Sequence, residues 1–90
     1  MACYSIHWKK SAVKELQKLA KQVIPDIVDA VYALADMPLP SGSKKLHGSL
    51  QTYRIRKGDY RIIYSIEHDV LVIEVIKVGH RKDIYQHFNP

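Results

Sequence analysis

The sequence predicts an α+β domain of element order β-α-α-β-β-β, in which a helical hairpin packs on one face of a small antiparallel sheet. Three observations predict it. Apolar residues recur at helical spacing in the first half of the chain, and they alternate with polar residues in the second half. Prolines and a glycine separate the two halves at residues 37–43. Ninety residues suffice for one core, so we expect a single domain over residues 1–90.

The first half predicts one strand and two helices. "CYSIHW" alternates enough for a strand of about five residues. Apolar residues then step by three and four as far as Val23, with lysines on the opposite side and Ser11 as the expected N-cap. Pro25 and Asp26 fit the first turn of a second helix, because proline lacks an N–H that this turn does not need and an acid stabilises the positive end of the dipole.

The second half predicts a three-stranded meander. Residues 50–56, 60–67 and 70–78 are rich in Tyr, Ile and Val, and the tight turns "KGD" and "EHD" join them. The preceding "SGSKK" is expected to be a flexible basic loop. The tail "HRKDIYQHF" predicts a short C-terminal helix or an extended arm.

Positive charge is concentrated in one segment. The chain carries 14 Lys and Arg against nine Asp and Glu, a net charge of +5. Residues 44–61 contain one acid, Asp59, and six bases, so this segment alone accounts for +5; the bases are Lys44, Lys45, Arg54, Arg56, Lys57 and Arg61. A concentrated positive field favours a polyanionic partner, and a merely solvated basic face is the alternative.

The hairpin "TYRIRKGDYRIIY" sorts its side chains by face. A two-residue turn, at either Lys57-Gly58 or Gly58-Asp59, puts tyrosines and isoleucines on the face covered by the helices. The other face then carries Arg54, Arg56 and Arg61. Like charges paired across strands destabilise a sheet, so folding does not explain this arrangement. An open, concave face bearing planar guanidinium groups predicts a phosphate site for RNA or DNA.

Several classes of protein are disfavoured. The single Cys3 excludes an internal disulfide and a cysteine-based zinc site, and suits a reducing cytosol. His7, His47, His68 and His87 lack metal-ligand spacing, so neither a metal nor another cofactor is expected. No apolar stretch is long enough to span a membrane and the first ten residues lack a signal-peptide apolar region, so we expect a cytoplasmic protein without a membrane partner.

The segments "KKLHGSLQTYRIRKGDYRIIYSI" and "IEVIKVGHRKDIY" resemble the RelE family of toxins from type II toxin–antitoxin systems, and "WKKSAVKELQKLAK" is similar to that family's first helix. The resemblance implies the fold derived above. It also implies a ribosome-dependent endoribonuclease that cuts mRNA in the decoding site and is silenced by a cognate RelB-like antitoxin.

The resemblance also implies a set of site residues. The family's basic positions on its second strand fall on Arg54 and Arg56, and its third-strand arginine falls on Arg61. The arginine of "GHR" falls on Arg81 and the C-terminal tyrosine on Tyr85. Well-studied members have lysines where this chain has Arg54 and Arg56, and arginine cannot easily act as a base. Further RNA contacts are expected from Lys44, Lys45, Lys57, His80 and Lys82.

The chemistry of RNA cleavage suggests roles for these residues. Arg61, assisted by Arg54 or Arg56, would stabilise the pentacoordinate phosphate, and Arg81 would stabilise or protonate the leaving group. The expected base that deprotonates the 2′-hydroxyl is Tyr85, as a phenolate favoured by nearby guanidiniums, ahead of His80; one of the lysines Lys44 and Lys45 is the third candidate. Two alternative functions stay open at this point: a non-enzymatic inhibitor of DNA gyrase, similar to the ParE branch of the superfold, and a nucleic-acid-binding module without catalysis.

Overall fold

The structure, a computed structural model, describes residues 3–86. In chain order its elements are β1 (Ser5–Trp8), α1 (Lys10–Gln17), α2 (Ile24–Ala33), β2 (Lys44–Lys45), β3 (Thr52–Lys57), β4 (Tyr60–Glu67) and β5 (Val72–His80). Two helices on a five-stranded sheet confirm the predicted α+β class and element order, with one additional short strand, β2.

The sheet has the strand order β1-β5-β4-β3-β2. Strands β3, β4 and β5 form the predicted antiparallel meander, whereas β1 joins the edge of β5 in parallel, so the sheet is mixed. The expectation of a flexible loop at "SGSKK" is wrong for its two lysines. Lys44 pairs with Arg54 and Lys45 with Tyr53, because β3 offers a free edge whose backbone groups the two residues can satisfy.

Both ends of α1 differ from the sequence-based expectation. The helix begins at Lys10, and its N-cap is Lys9 without a side-chain hydrogen bond, so the predicted Ser11 cap is wrong. Lys9 still donates its N–H to Val75 of β5 while its carbonyl accepts the N–H of Val13, so the helix starts where strand pairing stops. Although the apolar spacing continues to Val23, the helix ends at Gln17 and turns follow.

Helix α2 forms as predicted, with Pro25 at its start and Asp26 in its first turn. The core lies between the helices and one face of the sheet; its fully buried members include Ile27, Val31, Leu34, Ile62, Tyr64, Ile66, Ile73 and Val75. The Tyr64 hydroxyl donates to the carbonyl of Pro38 at 2.7 Å, which fastens the loop after α2 to the sheet. Burial, helped by the neighbouring Tyr53, raises the pKa of Tyr64 to about 12.

A β-bulge interrupts the pairing of β4 with β5. Ile63 pairs with Lys77 and Tyr64 pairs with Val75, so Ile76 has no partner in the ladder. Before the bulge Val75 belongs to the helix-side core, and after it Val78 does, so the alternation of β5 shifts by one residue. His80 consequently pairs with Tyr60, and Gly79 pairs with Arg61 on the opposite face.

The chain after β5 folds back over the face that carries the arginines. Residues 81–86 form successive turns, with the N–H of Ile84 bonded to the carbonyl of His80 and that of Gln86 to Asp83, so as far as residue 86 the tail is neither the predicted helix nor an extended arm. Residues 87 and 88 of the predicted tail, including His87, lie outside the described residues. A Cβ atom added to Gly79 would lie 3.4 Å from Cδ1 of the buried Ile84, so this turn packs directly on the sheet.

Candidate RNA-binding and catalytic site

Cross-strand pairing brings two of the predicted arginines side by side. The turn of the hairpin is Gly58-Asp59, so Arg56 pairs with Arg61, and Arg61 in turn pairs with Gly79 of β5. Gly58 has a φ of +58°, a conformation that glycine adopts without steric cost. The predicted separation of faces is confirmed, because Ile55 and Ile62 pair within the helix-side core.

The guanidinium group of Arg61 is anchored at this turn. Its Nη1 donates to the carbonyl of Gly58 at 3.0 Å and to the carbonyl of Tyr60 at 2.9 Å. Two backbone acceptors on one nitrogen fix the plane of the group and leave its other nitrogens without a hydrogen-bond partner among the described residues. The side chain is therefore held in a position from which it can donate to an anion above the sheet.

Asp59 holds a third arginine, Arg81, at the same turn, a role that the sequence alone did not predict for this carboxylate. The carbonyl of Asp59 accepts the N–H of Arg81 at 2.7 Å, and the carboxylate of Asp59 lies 3.5 Å from Nε of Arg81. Both side chains are mostly exposed, so this ion pair contributes little and leaves Arg81 free to move. We call Arg56, Arg61 and Arg81 the cationic corner. The signal for Asp59 was its place in the turn beside the basic strands.

Arg54 differs from the cationic corner because it is buried. Only 6% of its surface is exposed, and its Nη1 is buried without a hydrogen-bond partner among residues 3–86. The prediction of a fully open arginine face is therefore wrong: Arg54 and Ile63, which pair with each other, are both covered. A buried, unpaired guanidinium nitrogen is costly, so this position favours an anion that would satisfy it.

The two candidate bases lie in different surroundings. Tyr85 lies in the turn after β5 and is 50% exposed. His80 pairs with Tyr60 on the helix-side face, where the two rings meet edge to face at 5.6 Å. Nδ1 of His80 accepts the N–H of Lys82 at 3.1 Å, so the neutral ring carries its proton on Nε2 and has no free lone pair. Geometry therefore disfavours His80 as the base and as a contact to RNA on the arginine face.

The predicted lysines lie at the edge and turns of the sheet. By strand pairing Lys44 shares the arginine face, whereas Lys45 and Lys57 share the helix-side face with Tyr53 and Tyr60. Lys44 and Lys45 form the exposed edge strand β2, next to Arg54, and Lys57 closes the hairpin turn. Lys82, also exposed, follows Arg81. Across residues 3–86, no three His, Cys, Asp or Glu side chains form a group that could hold a metal ion. In the same range no helix is long and apolar enough to cross a membrane.

The comparisons with known proteins identify the class of protein that carries this site. A sequence profile described as the ParE toxin of the type II toxin–antitoxin system parDE matches residues 6–85. The chain therefore belongs to the RelE/ParE superfamily of type II toxins, as the resemblance of its motifs predicted.

Within the superfamily, the similar proteins carry RelE-type names. A putative RelE-like toxin protein of Escherichia coli is 32% identical over 91% of this chain and 90% of its own length. Toxin RelG of Mycobacterium tuberculosis is 27% identical over 92% of this chain and 97% of its own length. The archaeal RelE–RelB complex from Pyrococcus horikoshii OT3 contains a chain that superposes with a TM-score of 0.78 at 33% identity, covering 92% of this chain and 99% of that one.

Proposed function

We propose that this protein is a ribosome-dependent endoribonuclease that cuts mRNA in the decoding site and thereby inhibits translation in the cytoplasm. The observation that carries the proposal is the cationic corner: Arg56 of β3 pairs with Arg61 of β4, and Asp59 in the turn between these strands holds Arg81 from the turn after β5, the same turn that carries the half-exposed Tyr85. Like charges paired across strands do not stabilise the folded sheet, whereas the same charges would stabilise the negative charge that develops on a phosphodiester during cleavage.

In this proposal the RNA supplies its own nucleophile. The 2′-oxygen attacks the adjacent phosphorus, the bond to the 5′-oxygen breaks, and a 2′,3′-cyclic phosphate and a 5′-hydroxyl result. Guanidinium groups can stabilise the phosphoryl oxygens in the transition state without a metal ion, because they are preset donors that need no reorganisation. We assign this role to Arg61, whose Nη1 is held by the turn, and to Arg56 beside it.

The remaining residues receive complementary roles. Tyr85 takes the proton of the 2′-hydroxyl, and Arg81 stabilises the negative charge on the departing 5′-oxygen, which takes a proton from water to become the 5′-hydroxyl. The buried Nη1 of Arg54 supports a phosphate contact that becomes satisfied only when the substrate is bound. Lys44, Lys45, Lys57 and Lys82 bind the neighbouring phosphates, whose contacts position the strand without reading its sequence.

A RelB-like antitoxin is the proposed regulatory partner. The structural relatives include RelE chains solved in complexes with RelB. The excess positive charge of residues 44–61 favours an antitoxin segment that combines acidic with apolar residues and covers this region and Tyr85.

The test is primer extension on a defined mRNA held in a stalled translation complex, with and without the added protein. Cuts at a constant position within codons are expected only when the protein is added. The profile match to the ParE family makes inhibition of DNA gyrase the second candidate. Intact mRNA together with lost supercoiling by purified gyrase would favour that function. Salt-sensitive RNA binding without any product would indicate a binding module.

A further inference from the structure

A second positively charged surface lies on α1, away from the arginine face. Lys10, Lys14 and Lys18 follow one another at intervals of four residues, so their Cα atoms are about 6 Å apart along the helix and lie within an arc of about 80°. We call these three residues the lysine stripe. Lys9 and Lys21 flank it, and all five side chains are exposed.

The acidic residue of α1 does not neutralise the stripe, because it points toward the sheet. Glu15 accepts a hydrogen bond from the N–H of Val78 at 3.2 Å and forms an ion pair with Lys77 at 2.8 Å. The only other ion pair among residues 3–86 joins Arg81 and Asp59, so no stripe lysine has a carboxylate within 4 Å in that range. Like charges at this spacing cost a helix some tenths of a kcal/mol, so the stripe does not serve folding.

The lysine stripe continues toward the proposed active site. At the end of α1, Lys18 lines a groove of about 220 Å³ together with Lys77, His80 and Asp83, which lie at the end of β5 and in the turn after it. Arg81 and Lys82 belong to that same turn. The end of the stripe therefore reaches the turn that carries Arg81, across a groove that Glu15 and Asp83 also line.

The composition of this surface indicates what it binds. None of the exposed large apolar or aromatic side chains belongs to residues 9–23, so the stripe lacks the anchors on which protein–protein interfaces and base stacking depend. Lysine is also depleted from the centres of protein interfaces. Flexible point charges suit phosphates whose exact positions vary, as they do along the backbone of a nucleic acid helix.

We propose that the lysine stripe binds the sugar–phosphate backbone of double-helical RNA, as a docking surface separate from the strand that is cleaved. The choice of RNA over DNA rests on the proposed function, because ribosomal RNA is the polyanion that surrounds the mRNA in the decoding site. The duplex form follows from the lack of exposed aromatic side chains among residues 9–23, because single strands are held largely by stacking on such groups.

The test compares the wild type with Lys10→Gln/Lys14→Gln/Lys18→Gln in two assays. Three lost phosphate contacts lower the slope of log affinity against log salt by about 2.7 and weaken binding to a 20-base-pair RNA duplex by roughly 10²-fold at 0.15 M salt. On stalled translation complexes, the KM should rise by a similar factor while the cleavage rate at saturation stays unchanged. Lys10→Arg/Lys14→Arg/Lys18→Arg should restore both values.

A charge-matched variant separates the stripe from net charge. Adding Asp29→Asn, Asp36→Asn and Glu67→Gln, all at exposed positions without an ion pair among the described residues, returns the triple glutamine variant to a net charge of +5. Duplex binding should stay weak. Gln17→Lys, which adds an exposed charge about 20° beyond the Lys10 edge of the arc, should instead strengthen it.

The outcomes distinguish this proposal from the cleavage proposal. If the wild type cuts no mRNA but the stripe variants lose duplex binding, the proposed nuclease activity is refuted and the proposed RNA-binding surface on α1 is supported. Unchanged duplex affinity and KM in the glutamine variant would overturn the stripe, as would restored binding in the charge-matched variant. Equal losses for a single strand of the same length would refute the duplex assignment. Weakened affinity for a purified antitoxin with unchanged RNA binding would reassign the surface to a protein partner.

Discussion

Arg61→Ala separates the contribution of this guanidinium to folding from its proposed contribution to catalysis. The substitution removes two hydrogen bonds to the backbone of the turn, each worth about 1 kcal/mol, and it also relieves the repulsion from Arg56, which is worth some tenths of a kcal/mol. The free energy of unfolding should therefore fall by only about 1–2 kcal/mol. Cleavage should fall by on the order of 10²–10³-fold, the usual effect of removing one donor to a developing oxyanion.

The assay is single-turnover cleavage on saturating stalled ribosomes, with urea unfolding of the same preparations in parallel. Arg61→Lys serves as the charge-matched control. An ammonium group has all its donors on one nitrogen, whereas Arg61 bonds both turn carbonyls through Nη1 and keeps its other nitrogens for a phosphate. We expect it to retain more stability than the alanine variant but to recover little of the rate. A folded Arg61→Ala protein that cuts at a near-normal rate would refute the assignment.

Four further predictions follow from the same structure. Tyr85→Phe should lower single-turnover cleavage by roughly 10²-fold with little change in urea stability, whereas His80→Gln should do much less; the reverse ranking would make His80 the base. Tyr64 has a folded-state pKa of about 12, above the unfolded value near 10. Its protonated hydroxyl therefore contributes about 3 kcal/mol to the free energy of unfolding below pH 10, and this contribution is lost as the pH rises to 12. Tyr64→Phe should remove this alkaline loss of stability in urea unfolding measured across that pH range. Glu15→Ala should lower the free energy of unfolding by about 1–3 kcal/mol, since it leaves the Val78 N–H unpaired, while Glu15→Gln should lose less. Co-expression of a RelB-like antitoxin should relieve growth arrest, and a neutralised complex that still cuts mRNA on ribosomes would contradict the proposed covering of residues 44–61.

The features that were predictable from the sequence are those that depend on local alternation. The side chains of the hairpin fall on the predicted faces because a two-residue turn preserves the alternation, whichever residues form it. Pro25 and Asp26 likewise mark the start of α2 through local backbone chemistry. The arginines of β3 and β4 were identified as a set for the same reason.

The features that were missed depend on contacts between distant parts of the chain. The burial of Arg54 depends on how other segments cover the arginine face, and the Asp59 contact depends on where the turn after β5 returns. Glu15 points inward because it accepts a hydrogen bond from Val78 at the free edge of β5, and α1 ends two residues later, at Gln17. Neither feature can be read from the helical spacing of apolar residues. The lysines of the second charged surface were predicted to lie opposite the apolar side of α1 but were given no role, because acids elsewhere cancel them in the total charge.

The bulge at Ile76 has a consequence for how the length of β5 constrains its "GHR" motif. Deleting this one residue would give an uninterrupted ladder with the same partners, so His80 would still pair with Tyr60 and Gly79 with Arg61. If β5 instead kept Ile76 but lost the bulge, every residue beyond it would exchange faces, with the imidazole of His80 toward the RNA side and Gly79 toward the core. The bulge therefore absorbs one surplus residue without moving the site residues to the wrong face. Removal of Ile76 is accordingly expected to harm toxicity far less than the loss of an arginine.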